Sequence, residues 1–180
     1  MNLVKTIEQY ENKYLFFCEP IKNNIMTDGN FIRILYSTPS VLLNGIYLFF
    51  TIHDFTCEKY YNKYRCNFNV NTHKELISNL KAIEESILDK INIQSKIPQM
   101  KIYEQLANGN IKVFNEISNK STGSFILKIS GVWETQMNYG LTYKFCKTIE
   151  WPLGQNHLLC NIQELCRLCR YISPLILITL

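Results

Sequence analysis

The sequence predicts an α+β fold built from two ββββα units, with antiparallel sheets that are each packed by a helix. Residues 63–70 and 125–145 alternate apolar and polar side chains, as half-buried strands do. Residues 72–91 instead place their apolar side chains on one stripe of a helix. A weak internal repeat then relates the two halves, because the strand and turn pattern of the first half recurs in the second.

The composition is typical of a globular intracellular protein. With 180 residues, 47% of them hydrophobic and 19% charged, the chain can bury a core and is not expected to be disordered. Its seven cysteines form no disulfide framework, and its N-terminal residues lack the apolar core of a secretory signal, so a reducing compartment is expected. No stretch reaches the roughly 18 apolar residues of a membrane span. We therefore expect a soluble protein of the nucleus or cytoplasm of a host cell, with no membrane partner.

The first half is expected to span residues 1–93 and to begin with a mixed, charged arm. Its strands are predicted at residues 14–18, 31–36, 41–52 and 63–70. The third of these contains Asn44-Gly45, which favours a type I′ turn, so it is either a tight hairpin or a strand entered through a turn. Thr72 and Glu75 match a capping box at the start of the helix. The exposed face of this helix is expected to carry Lys74, Lys81, Glu84, Glu85 and Lys90.

A linker is predicted at residues 94–98, and the second half spans residues 99–180. Its strands are expected at residues 100–106, 111–117, 124–134 and 139–149, with Asn108-Gly109 as the first turn. The apolar positions of residues 157–172 predict a C-terminal helix that Pro174 ends. The hairpin at 125–145 echoes the segment from Phe31 to Phe49, which is the basis of the repeat.

Each strand predicted in the second half has one lysine on its polar face, namely Lys101, Lys112, Lys128 and Lys144. Tyr103 and Phe114 share that face by parity, and in the first half Lys63 and Arg65 lie on the polar face of one strand. A sheet with cations and aromatic rings between them can hold phosphates by charge while bases stack on the rings. The alternative is that these lysines are only the solvated side of half-exposed strands.

Other chemistry is less well supported by the residues. His157, Cys160, Cys166 and Cys169 lie within thirteen residues and are possible zinc ligands, but their helical spacing favours cysteines that pack as small apolar side chains. His53-Asp54 with Cys57 could supply a base and a nucleophile, yet such a pair in a loop is unspecific. The seven glycines form no phosphate-binding motif. We therefore expect no cofactor, no metal and no enzymatic activity.

The two ββββα units, with FILKISGVWE and YGLTYKF as the hairpin before the second helix, resemble the Whirly class of single-stranded DNA-binding proteins. They also resemble the transcriptional-coactivator and Pur-type folds. The resemblance implies binding of single-stranded nucleic acid across the sheet, with the helices packed on its other face or against a partner subunit. A five-stranded OB barrel would bind single strands as well.

The expected function is therefore that of a single-stranded DNA-binding protein associated with replication or transcription. Phosphates would lie on the four lysines, and bases would stack on Tyr103, Phe114 and Tyr143, although parity places Tyr143 with the apolar set. Asn, Lys, Ile and Tyr supply 68 residues, which indicates an AT-rich genome such as that of a virus. The partner would be single-stranded DNA or RNA, with a homo-oligomer formed through helices or sheet edges. The alternative is a non-enzymatic viral accessory protein that acts through protein–protein contacts or assembly.

Overall fold

The computed structural model describes residues 4–23, 28–114 and 122–148 and shows one large mixed sheet with two helices. The strands are β1 Lys5–Thr6, β2 Leu15–Phe17, β3 Ile21–Lys22, β4 Asn30–Thr38, β5 Val41–Asn44, β6 Ile46–His53, β7 Phe55–Tyr60, β8 Lys63–Phe68, β9 Ile97–Gln99, β10 Asn110–Val113, β11 Thr122–Glu134 and β12 Asn138–Lys147. The helices are α1 Lys74–Ile91 and α2 Lys101–Ala107, and short 3-10 turns occupy Ile7–Gln9, Asn12–Tyr14 and Val70–His73.

The prediction of two ββββα units with separate antiparallel sheets is wrong. The main sheet has the order β1-β6-β11-β12-β10-β8-β7, so strands of the first half lie on both sides of the three strands of the second half. It is also mixed, because β1–β6, β9–β12 and β10–β12 are parallel pairs. Alternating side chains reveal that a strand has one buried face, but the choice of neighbour depends on backbone pairing that the pattern does not encode. The division at residues 94–98 stays a prediction, and the structure begins β9 within that segment at Ile97.

β11 is the strand around which the sheet is assembled. On one side it pairs with β12, which confirms the predicted hairpin. On its other side, the first part of β11 pairs with β6 and its last four residues pair with β4. The two neighbours meet at a bulge after Ile129, where a Cβ on Gly131 would lie 2.3 Å from the ring of Phe31. Gly45 marks the same junction with a φ of 98° and no room for a side chain against the carbonyl oxygen of Ile129.

The segment at residues 41–52 forms two strands, β5 and β6, that do not pair with each other, so it is neither a tight hairpin nor one strand entered through a turn. β5 pairs with β4, whereas β6 pairs with β11 and β1, so Asn44-Gly45 redirects the chain from one partner to another. β2 and β3 also pair with β4 and form a small lobe with β5. The two segments of the proposed repeat therefore have different structures: β11 and β12 pair as a hairpin, whereas β4 and β6 do not pair with each other.

Helix α1 covers one face of the sheet and confirms the predicted helix, although it begins at Lys74. Its side chains Ile77, Leu80, Ile83, Ile87 and Leu88 join the core with Phe125, Leu127 and Phe145 of the sheet. The predicted capping box is absent, since the hydroxyl of Thr72 bonds the carbonyl oxygen of Asn69 and His73 is the N-cap. Asn92 ends the helix at a φ of 38°.

The N-terminal segment is tied to α1 by Lys90, whose Nζ donates to the carbonyl oxygens of Asn12 and Leu15.

Glu84 and the segment after the linker differ from the sequence predictions. Glu84 is expected on the solvated face of α1, but it is fully buried because it lies four residues after Leu80 and three before Ile87. Residues 100–106 form helix α2 and not a strand, and Ile102 and Leu106 are both fully buried. Their spacing of four residues is helical, and the short apolar run concealed it.

Two further predictions fall outside the residues that the structure describes. These are the C-terminal helix at 157–172 and the candidate zinc ligands His157, Cys160, Cys166 and Cys169. Neither helix in the described part of the chain combines the length and the apolar character needed to cross a bilayer.

Candidate nucleic-acid interface

Four cationic residues lie in one line across the sheet face that points away from α1, which is called the outer face below. Lys128 on β11 is directly opposite Lys144 on β12, and Lys112 on β10 is directly opposite Arg65 on β8. The parallel pair Val113 and Phe145 then places Lys112 beside Lys144. Lys128, Lys144, Lys112 and Arg65 are named the basic row. At about 4.8 Å between strands, this row spans roughly 14 Å.

The strand period explains why these side chains share a face. The neighbours of the basic row along each strand, such as Leu127, Phe145 and Ile111, are fully buried in the core beneath α1. Successive side chains point to opposite faces, so the cations between them must point outward. Tyr47 on β6 extends the row at one end, and Glu58 on β7 ends it at the other.

Aromatic rings accompany the basic row along its length. Lys128 Nζ lies 5.0 Å from the ring centre of Tyr47, while the Arg65 guanidinium lies 4.1 Å and Lys112 Nζ 5.3 Å from that of Tyr60. These distances fall within the range of cation–π attraction. The rings therefore hold the cationic groups above the outer face and offer surfaces on which bases can stack.

The end of the row near the β7–β8 turn is the more exposed part. Phe114 is 51% exposed, and Lys63 Nζ lies 4.6 Å from its ring centre. Tyr61, at the turn, is 84% exposed with a φ of 55° and contacts the ring of Tyr60 edge-on. A single aromatic and basic surface thus continues from the row to the turn. Together with the row, it contains six of the predicted binding residues: Lys63, Arg65, Lys112, Phe114, Lys128 and Lys144.

The electrostatic environment of Arg65 leaves part of its donor capacity unused. Its Nη1 lies 3.7 Å from a carboxylate oxygen of Glu58, whose side chain is about half exposed. The Nε of Arg65 is buried and has no hydrogen-bond partner among the described residues. An acceptor that reached this guanidinium would gain charge-assisted hydrogen bonds.

A narrow apolar strip runs beside the basic row on the outer face. Ile126 is directly opposite Cys146 on β12 and Phe49 on β6. Ile126 and Cys146 are buried, with exposed fractions of 4% and 7%, yet neither belongs to the core beneath α1. The central part of the outer face is therefore less accessible than the part near the β7–β8 turn.

Three predicted binding residues lie on the other side of the molecule. Lys101 is the first residue of α2 and pairs with Glu104 at 2.8 Å. The ring of Tyr103 lies 5.1 Å from Lys81 Nζ on α1. The hydroxyl of Tyr143 lies 3.0 Å from the carbonyl oxygen of Lys101, and burial raises its pKa to about 12. These residues join β12 to the helices and do not contribute to the outer face.

A buried carboxylate positions α2. The backbone N–H groups of Ile102 and Tyr103 donate to the two oxygens of Glu84 at 3.0 and 2.7 Å. The carboxylate thus satisfies two of the unpaired donors at the start of α2. Burial raises the pKa of Glu84 to about 6 even though both hydrogen bonds lower it. This contact is structural and lies away from the basic row.

The candidate catalytic residues do not form a constellation. The ring of His53 lies 3.2 Å from the hydroxyl of Thr122, and its backbone N–H donates to His73 Nε2. Cys57 is directed to Cys66 on the neighbouring strand. No hydrogen bond in the described part of the chain links His53, Asp54 and Cys57 to one another.

Sequence reasoning missed the aromatic partners of the row. Tyr60 is not among the predicted binding residues, because residues 57–62 are polar and rich in tyrosine and their pattern does not predict strand β7. Tyr47 shows the right parity on a strand, but its place beside Lys128 depends on the pairing of β6 with β11. The alternation of Phe55 and Cys57 with polar residues was the one available signal for β7.

Comparison of the chain with protein-family models found no match, and comparisons with curated proteins and with solved structures found none either. The likeness to Whirly, coactivator and Pur-type proteins thus stays an expectation drawn from the sequence. A function for this protein is therefore inferred from the geometry of its outer face.

Proposed function

We propose that this protein is a non-enzymatic, soluble intracellular protein that binds single-stranded nucleic acid across its outer face. The observation that supports this most strongly is the register of the basic row. Lys128 faces Lys144, and Lys112 faces Arg65, so like charges lie directly opposite each other twice. The row therefore sets cations at the spacing of neighbouring strands, in a line that the phosphates of a bound polyanion can follow.

The aromatic rings determine which polyanion fits. Tyr60 and Phe114 are exposed beside Lys63, Arg65 and Lys112, so bases that are free to leave a duplex can stack on them while the phosphates follow the cations. A duplex keeps its bases stacked inside, and it would use only the charges. The proposal therefore specifies a single strand, DNA or RNA, as in replication or transcription.

Replacement of the lysines in the row tests the proposal. The variant K112A/K128A/K144A should weaken binding of fluorescein-labelled oligo-dT, as measured by fluorescence anisotropy over a range of salt concentrations. Loss of three phosphate contacts should flatten the slope of log affinity against log salt by about 2, because each contact to a single strand contributes about 0.7.

The matched control is K74A/K81A/K101A, which removes the same charge from α1 and α2. It should keep the salt slope of the parent protein. Equal weakening of oligo-dT binding by both triple variants would show that only the net charge of the protein matters and not the basic row. A parent protein that does not bind oligo-dT would refute the proposal.

A second candidate function, assembly through protein contacts, is favoured by the small lobe around β4. Phe16, Ile21 and Leu42 are 52%, 55% and 61% exposed on β2, β3 and β5. Three large apolar side chains on strands that all pair with β4 are more than scattered surface residues, and they would suit contact with a second copy of the chain.

A further inference from the structure

Two cysteines face each other across the β7–β8 hairpin. Cys57 and Cys66 are partners in the antiparallel register, and both are thiols in the structure. Their Sγ atoms are 2.6 Å apart. This separation is only about half an ångström longer than a disulfide bond of about 2.05 Å.

The register of the hairpin also suits a bond between these two residues. Tyr60 and Lys63 flank a turn of two residues, so they form a hydrogen-bonded pair and the pairs alternate from there. Counting back three positions makes Cys57 and Cys66 a non-hydrogen-bonded pair. In such pairs the Cα atoms are about 4.5 Å apart, which lies inside the range of disulfide-bonded residues.

We propose that Cys57 and Cys66 are a redox modification site that forms an intramolecular cross-strand disulfide when a low-molecular-weight disulfide such as oxidised glutathione is present. The inference concerns the chemistry of the hairpin alone and does not depend on nucleic-acid binding.

The reaction begins at Cys57, which is half-buried, whereas Cys66 is fully buried. Cys57 loses its proton to solvent and attacks one sulfur of oxidised glutathione, which releases one glutathione thiolate that takes up a proton. Cys66 then loses its proton and attacks Sγ of Cys57, and the second glutathione leaves. In total, two protein thiols and one oxidised glutathione become one protein disulfide and two reduced glutathione molecules.

The environment sets the speed of this reaction. Burial raises the pKa of both thiols, while the charge of Lys147 lowers it in part. A smaller thiolate fraction slows the first attack. The second attack is fast by comparison, because the strand register holds Cys66 against its target and gives it a high effective concentration.

The test uses the folded full-length chain in mixtures of reduced and oxidised glutathione. After each incubation, the protein is unfolded in guanidinium chloride that contains N-ethylmaleimide, so that every free thiol is blocked, buried Cys66 included. Tryptic peptides are then analysed by mass spectrometry without reduction. Cleavage at lysine and arginine places Cys57 in peptide 34–59 and Cys66 in peptide 66–74. The two peptides should appear linked, with a mass two hydrogens below their sum. This species should exceed any other cysteine pair by at least about tenfold.

Two variants and one condition make the outcome decisive. C57S should abolish the linked peptide and leave Cys66 blocked by N-ethylmaleimide, while C18S, which alters a cysteine outside the hairpin, should leave the yield unchanged. In denaturing urea the excess of this pair over Cys160–Cys169, which has the same separation along the chain, should disappear. The proposal is overturned if Cys57 and Cys66 are both recovered fully alkylated at oxidant ratios that oxidise other cysteines. It is also overturned if the mixed disulfide of Cys57 with glutathione accumulates and no linked peptide forms.

Discussion

Glu84 shows how one side chain can couple the fold to pH. Its carboxylate is fully buried against the first turn of α2, and its pKa is raised from the ordinary 4.5 to about 6 by burial. A raised pKa means that the folded state binds a proton more tightly than the unfolded state does. The resulting stability is fully present below pH 4.5 and is lost as the pH rises through about 6.

The variant E84Q should remove this dependence, because glutamine does not titrate. The free energy of unfolding of the parent protein, relative to that of E84Q, should fall by roughly 2 kcal/mol between pH 4.5 and pH 7. Urea denaturation followed by circular dichroism at several pH values measures this difference. E85Q, a change at the exposed neighbour of Glu84 that pairs with Lys81, is the control. A difference that stays flat or rises with pH would contradict the assignment.

At the scale of elements, the junction of β4, β6 and β11 depends on the absence of a side chain at Gly131. A Cβ there would lie 2.3 Å from a ring carbon of Phe31 and 2.6 Å from the carbonyl oxygen of Ile32. G131A should therefore lower the free energy of unfolding by about 2 kcal/mol, the usual cost of forcing extra volume into a packed site. Chemical denaturation of the purified variant measures the loss.

A double-mutant cycle with F31L identifies the source of this cost. Leucine lacks the ring atoms that a Cβ at Gly131 would meet, so G131A should be less destabilising in the F31L background. The contact with the carbonyl oxygen of Ile32 remains in both backgrounds, and part of the cost should persist. Equal costs in both backgrounds would show that the ring of Phe31 is not the obstacle.

Elements with a long, regular period could be predicted from the sequence, and short or two-sided ones could not. The hairpin of β11 and β12 and helix α1 have clear periods and were found. The run that forms α2 is only seven residues long, too short for its helical spacing to outweigh a strand reading. Glu84 was misplaced because charge outweighed its position on the buried stripe, where Ile102 and Tyr103 supply partners that no local pattern reveals.

At the scale of the whole molecule, the arrangement of the candidate site depends on pairing between strands that are distant in the sequence. Parity correctly directed Lys112, Lys128 and Lys144 outward, and strand order brought them together with Arg65. Lys101 and Tyr103 lie on the other side because residues 101–107 form a helix, and Tyr143 lies there because its parity is that of the buried Phe145. Alternation alone thus predicts most of the residues of the candidate site, whereas their arrangement depends on long-range strand pairing.

Whether the small lobe mediates assembly is tested by light scattering coupled to size-exclusion chromatography. If it does, the parent protein should elute as an oligomer that is indifferent to oligo-dT, and the variant F16S/L42S should elute as a monomer. Both side chains are more than half exposed, so their replacement should leave the fold intact, which circular dichroism checks. A monomeric parent protein that shifts only with oligo-dT would exclude assembly and support the nucleic-acid proposal.

The place of β11 in the chain has a consequence for synthesis on the ribosome. β4 and β6, which end at Thr38 and His53, both need β11 as a neighbour, yet residues 122–134 leave the ribosome long after them. Until then, two apolar strands carry backbone groups without their final partner, and such edges attract other chains. The nascent protein should accordingly depend on chaperones for the interval between the emergence of β6 and that of β11.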